Sequence, residues 1–104
     1  MTVIAPATPD LASILASLRE ALPELRRRYP LASVAVFGSQ ARGTAGSDSD
    51  LDLLVDWSGP ASLLDYAGLR ADLEEWTGLR VELTNRRLLK PALAPTILGE
   101  AVAV

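Results

Sequence analysis

The chain has 104 residues and a mass of 11.1 kDa, with 49% of its residues hydrophobic and 13 acidic against 10 basic side chains. It contains no cysteine and no histidine, which excludes disulfides, thiolate metal sites, a Ser-His-Asp triad, a histidine general base and histidine-ligated zinc or iron. Without those residues any chemistry must run on carboxylates, hydroxyls, arginine and a bound ion, and a net charge of −3 with a pI near 4.8 argues against a broad nucleic-acid-binding face.

The length predicts one domain spanning residues 1–104, with no room for a second core. Met1-Thr2-Val3-Ile4-Ala5-Pro6 carries no basic region or apolar segment of signal-peptide length, and no apolar run approaches a membrane span. The expected location is therefore cytoplasmic, with no membrane contact. Thr8-Pro9-Asp10 is a helix-start signal, and Leu11, Ile14, Leu15, Leu18, Leu22 and Leu25 follow helical spacing on one apolar stripe. Pro23 should kink or split that helix, and Pro30 should close it. Val34 to Phe37 reads as a short buried strand that ends at a Gly38 turn. A helical turn at Gln40-Ala41-Arg42 and a polar loop from Gly43 to Ser49 follow.

Leu51 to Val55 is the second predicted strand, and Asp56 to Pro60 a connector. Ser62 should cap a helix through Trp76, with Leu69, Leu73 and Trp76 on one face and Gly78 as its stop. Leu79 to Thr84 alternates as a third strand that puts Glu82 on a polar face with Arg80 and Thr84. Residues 86–101 look helical but are interrupted by Pro91 and Pro95, and the apolar tail Ala101-Val102-Ala103-Val104 is suited to packing on the sheet or a partner. Strands alternating with helices predict an α/β layer arrangement. Tyr29, Tyr66, Trp57 and Trp76 are expected as core or half-buried packing residues. Arg26-Arg27-Arg28 and Arg86-Arg87 suit either solvated helix ends or contacts to a partner or phosphate.

The chemistry concentrates at two runs. Asp50 and Asp52 project from one face of a strand, with backbones about 7 Å apart. Aspartate is depleted in strands, and two on one face repel each other unless a cation sits between them. Two hard oxygen ligands on a rigid strand suit Mg²⁺, which is commonly held by a couple of carboxylates plus substrate phosphates. Upstream, the Gly38-Ser39 turn can bring backbone N–H groups and a hydroxyl close to those phosphates. This is no P-loop, because the glycine-rich loop followed by Lys-Ser/Thr is missing. Asp48-Ser49-Asp50 is a second Asp-x-Asp, but the ten-residue register from Gly38-Ser39 favours Asp50 and Asp52 and leaves Asp48 to the loop.

Gly38-Ser39-Gln40-Ala41-Arg42-Gly43 together with Ser49-Asp50-Leu51-Asp52-Leu53-Leu54-Val55 resembles the signature of the DNA polymerase β-type nucleotidyltransferase superfamily. The short chain is similar to its minimal branch, the MNT antitoxin half of HEPN/MNT toxin–antitoxin pairs, and the likeness covers roughly residues 10 to 104. The resemblance implies a small mixed β-sheet with helices packed mainly on one face and the other left open for substrate. It further implies ATP as substrate and two Mg²⁺ ions held by Asp50 and Asp52. Glu82 would be the third carboxylate, as a metal ligand or proton acceptor, where the family more commonly has aspartate. Gly38 and Ser39 would contact the triphosphate, whereas Arg42 would either join them or pair with an acid. The implied partner is a HEPN-type toxin RNase, adenylylated on a tyrosine and so inactivated. An antitoxin that binds its toxin without catalysis is the alternative, and a small-molecule nucleotidyltransferase is a third.

Overall fold

The computed structural model describes residues 10–46 and 49–104. The first eight residues, the Thr8-Pro9 part of the helix-start signal, and Asp48 lie outside them. Helix α1 (Leu11–Arg28) starts where Asp10 accepts a hydrogen bond from the Ser13 N–H at 2.8 Å. Its stripe of Ile14, Leu15, Leu18, Ala21 and Leu25 is buried. Pro23 does not split it. The residue faces water, as does Arg19 one turn earlier, whose carbonyl Pro23 leaves unpaired, so hydration can replace the lost bond.

Strand β1 (Leu31–Phe37) begins three residues earlier than the apolar run suggested, with a register irregularity between Leu31 and Ser33. That irregularity breaks the alternation that would have marked the start. It leads directly into α2 (Gly38–Arg42), then β2 (Leu51–Trp57), α3 (Leu63–Thr77) and β3 (Val81–Asn85). A single 3₁₀ turn (Arg86–Leu88), α4 (Ala94–Glu100) and β4 (Val102–Ala103) complete the chain. Ser62 caps α3 through a reciprocal box with Asp65, and Gly78 ends it in the left-handed region.

The sheet order is β3-β2-β1-β4, with β2 parallel to β3 and the other two pairings antiparallel. Val34 and Val36 pair with Val55 and Leu53, and Leu51 and Leu53 pair with Val81 and Leu83. These side chains share one face and join α1 and α3 residues, including Leu69 and Leu73, in the core. The opposite face carries Phe37, Asp52, Asp56, Glu82 and Thr84, following from the period of two along each strand. The tail is part of the sheet, since β4 pairs Val102 with Val36 and Ala103 with Ala35.

Edge strand β3 is sealed by α3. The Tyr66 hydroxyl donates to the Leu83 carbonyl, Arg70 Nε donates to the Val81 carbonyl at 3.0 Å, and Glu74 accepts from the Val81 N–H at 3.0 Å. Helix residues four apart rise about 6 Å and alternate strand residues about 6.6 Å, so one helix face can serve every second backbone group of the edge. Helices α1 and α3 are tied by Asp72, which accepts from the Tyr29 hydroxyl at 2.6 Å and from Arg28 at 3.1 Å. Burial and the Asp72 carboxylate push the Tyr29 phenol up to about 12. Gly68 permits the approach, since a Cβ there would lie 2.7 Å from the Tyr29 hydroxyl.

Several arginines of the two clusters are paired within the chain. Arg27 and Arg28 pair with Glu24, Arg26 donates to the Ala32 carbonyl, and Arg87 lies 3.3 Å from Asp56. Trp76 differs from its expected packing role, being 45% exposed, because it follows the buried Leu73 by three residues at the edge of the apolar stripe. No helix among the described residues is long and apolar enough to cross a membrane. Replacing Tyr29 with Phe removes one partly buried hydrogen bond at constant packing. Urea denaturation should show a loss of about 1 kcal/mol with an unchanged far-UV spectrum.

Candidate active site

Asp52 is the centre of the polar face. Its register partner on β1 is Phe37, the residue before the Gly38 turn, and its partner on β3 is Glu82. Asp50 precedes β2 by one residue, and its carboxylate lies 3.9 Å from Arg80, a loose contact with a mostly exposed guanidinium. The Leu51 N–H donates to the Arg80 carbonyl at 2.7 Å and so fixes the start of β2 against β3. Pairing in parallel register therefore places Glu82 beside the aspartates, where its side chain is exposed. Among the described residues, no three acids already converge as a ready-made metal nest.

Asp52 is strained electrostatically. Burial first, then Glu82 and Asp50, raise its carboxyl pKa, while Arg42 lowers it. A group bound more tightly by protons in the folded state than in the unfolded one costs stability while ionised. The cost is full at neutral pH and vanishes as pH falls through the folded pKa. Hard oxygen donors gathered at one strand are what a divalent cation neutralises, so Asp50 and Asp52 fit Mg²⁺, with Glu82 on the same face. Thermal melts without divalent cations should show Asp52→Asn melting a few degrees above the parent chain, since it deletes the charge and keeps the shape.

The turn at Gly38 meets Asp52 directly. Gly38 has φ +74°, and a Cβ built there would strike Asp52 Oδ2 and lie 3.1 Å from Asp52 Cγ. Only glycine accepts both the left-handed backbone and the contact. Ser39 follows in the first turn of α2, half-buried. Gly43, also left-handed, closes α2 by donating to the Ser39 carbonyl. Gln40 is 3% exposed, and its side-chain nitrogen has no hydrogen-bond partner among the described residues.

Glu100, at the end of α4, is a site residue that the sequence did not reveal. Its Oε1 accepts from the Gly38 N–H at 2.9 Å, and its Oε2 accepts from Arg42 at 2.9 Å. These two bonds, Arg42 first, hold its carboxyl below the usual glutamate range. Of the two roles open to Arg42, the structure displays the pairing with an acid. A signal existed in retrospect, an acid directly ahead of the strand-like Ala101-Val102-Ala103-Val104, but the sequence did not show where that strand would pair.

Among the described residues, concavities of about 430 Å³ (Trp57, Pro60, Leu63, Tyr66, Arg87) and 350 Å³ (Leu25, Arg28, Asp72, Trp76) lie apart from Asp50, Asp52 and Glu82. A recess of about 100 Å³ beside Glu82 is lined by Tyr66, Arg70 and Leu83. Replacing Gly38 with Ala should lower stability by about 1–3 kcal/mol in denaturant titration, with the Asp52 side chain forced aside.

Comparisons with known proteins show the family and the fold. The model for the nucleotidyltransferase domain matches residues 18–104. The protein adenylyltransferase MntA of Thermococcus cleftensis is 42% identical over 95 residues, covering 91% of this chain and 93% of that protein. A solved minimal nucleotidyltransferase superposes with a TM-score of 0.78 at 42% identity, covering 95% of this chain and all of the other. The MNT antitoxin complex with the tri-AMPylated Shewanella oneidensis HEPN toxin matches at a TM-score of 0.63. It shares 18% identity over 86% of this chain and 70% of that one, a likeness of fold.

Proposed function

The chain belongs to the nucleotidyltransferase domain family and has its polymerase β-like fold, and from that premise we propose that it transfers AMP from ATP to a hydroxyl of a partner protein. The observation that carries this reading is the position of Asp52, between the Gly38 turn on one side and Glu82 on the other. Relatives add the acceptor class, since MntA of Thermococcus cleftensis is a protein adenylyltransferase and a neighbouring fold is bound to an AMPylated HEPN toxin. A HEPN toxin with a tyrosine acceptor is the proposed partner.

In this mechanism Asp50 and Asp52 would hold two Mg²⁺ ions, and the chain is one catalytic domain. When bound, such ions would supply charge neutralisation for the triphosphate and a lower pKa for the acceptor hydroxyl. Ser39, through its hydroxyl and N–H, and the Gly38 turn orient the phosphates, with Arg42 adding positive charge at the end of α2. The acceptor oxygen forms its bond to the α-phosphorus while the bond to the bridging oxygen breaks and pyrophosphate leaves. Glu82, exposed and in register with Asp52, takes the hydroxyl proton. Catalysis is thus positioning plus charge compensation on a rigid strand pair.

The test is incubation of the chain, Mg²⁺ and the HEPN-domain protein encoded beside it with ATP labelled at the α- or γ-phosphate. Label should be retained on the acceptor from the α position only. Asp50→Asn and Asp52→Asn should abolish transfer with the fold intact, and Glu82→Gln should lower it about 10²–10⁴-fold while nucleotide still binds. Full transfer by the double Asn variant defeats the mechanism. Silencing of the partner by a stable complex without label transfer replaces it with the binding-only antitoxin.

A further inference from the structure

Helix α2 carries the phosphate-side groups and has five residues, one turn and a half, with no side-chain cap from Phe37 at its start. Such a helix cannot set its own position, because its hydrogen bonds are few and its first N–H groups have no internal partner. Gly38 is buried, so an unpaired N–H there would be costly. Glu100 removes that cost and does more. Its two oxygens take the first residue of α2, through the Gly38 N–H, and the last, through the Arg42 guanidinium, each at 2.9 Å. One carboxylate, 18% exposed, spans the helix from end to end.

The register explains why Glu100 arrives there. β4 pairs antiparallel with β1 at Val36↔Val102, and two further steps bring Glu100 opposite Gly38. The pairing of the last strand with the first therefore determines where the carboxylate lands, 62 positions away in sequence.

We propose that Glu100 is a positioning residue for nucleotide transfer, clamping both ends of α2 so that the Ser39 donors stay in register with Asp52. The clamp works through the close packing of Gly38 on Asp52, since any shift or roll of α2 moves the phosphate-side groups relative to the carboxylates. The inference rests on the nucleotidyltransferase reading above, and Glu100 itself touches neither substrate nor cation.

The test compares the full chain with Glu100→Ala and Glu100→Gln in AMP transfer to the HEPN-domain protein. Binding of a non-hydrolysable ATP analogue with Mg²⁺ and the NMR signal of the Gly38 amide proton are followed alongside. Glu100→Ala should lower kcat about 10–100-fold, the range for misplaced supporting groups, with analogue affinity close to the parent's. Its Gly38 amide signal should move upfield as the bond is lost. Glu100→Gln, whose amide oxygen still accepts from Gly38, should recover part of the rate and the amide shift. Tighter analogue binding with undiminished transfer in Glu100→Ala would overturn the proposal, making Glu100 a competitor for a phosphate position. A rate loss accounted for by a smaller folded fraction would overturn it as well, leaving Glu100 a purely structural residue. A parent chain that binds no analogue defeats the nucleotidyltransferase reading itself. In that case an unmoved Gly38 amide in Glu100→Ala shows separately that no clamp exists.

Discussion

Everything at the site depends on one close approach, backbone against carboxylate, where Gly38 passes Asp52 with no space for a side chain. The approach is possible because β1 and β2 are paired in a register that sets Phe37 beside Asp52, and because the chain then turns with a positive φ. A strand pair is stiff, so the separation of the two halves of the site is determined by the sheet and not by loops.

The sheet divides labour between its faces. Leu51, Leu53 and Val55 point into the core with Val34, Val36, Val81 and Leu83, and this apolar burial leaves Asp52 no freedom to rotate out of the polar face. The stability of the core can thus offset the repulsion among Asp50, Asp52 and Glu82. Strain at a functional cluster, offset by packing elsewhere, is the usual relation between a site and its scaffold.

Much of this was legible in the sequence. The Gly38-Ser39 turn, the aspartate pair and Glu82 could be placed because strand alternation and turn chemistry are local signals. The mixed sheet with helices α1 and α3 on its apolar face agrees with the expected architecture. What escaped was non-local. Leu31 was missed because the irregularity near Ser33 hides the strand's beginning. Pro23 was over-read because its cost depends on which side of the helix faces water. Trp76 is spaced like a core residue, but spacing from Leu73 does not show how far the buried stripe extends along the helix. Glu100 was invisible because its partners come from the other end of the sheet, and neither composition nor periodicity encodes a register between distant strands.

The side-chain ladder from Tyr66, Arg70 and Glu74 to the backbone of β3 has a consequence for solubility. An edge strand with unpaired carbonyls and N–H groups is a template for cross-chain β-assembly. Here the N–H and carbonyl of Val81 and the carbonyl of Leu83 are occupied by a helix from the same chain, which obstructs a foreign strand at the edge next to the carboxylates. Helix α3 thus acts as a built-in guard against fibre growth, and truncating its three ladder residues would expose an aggregation-prone rim beside the reactive face.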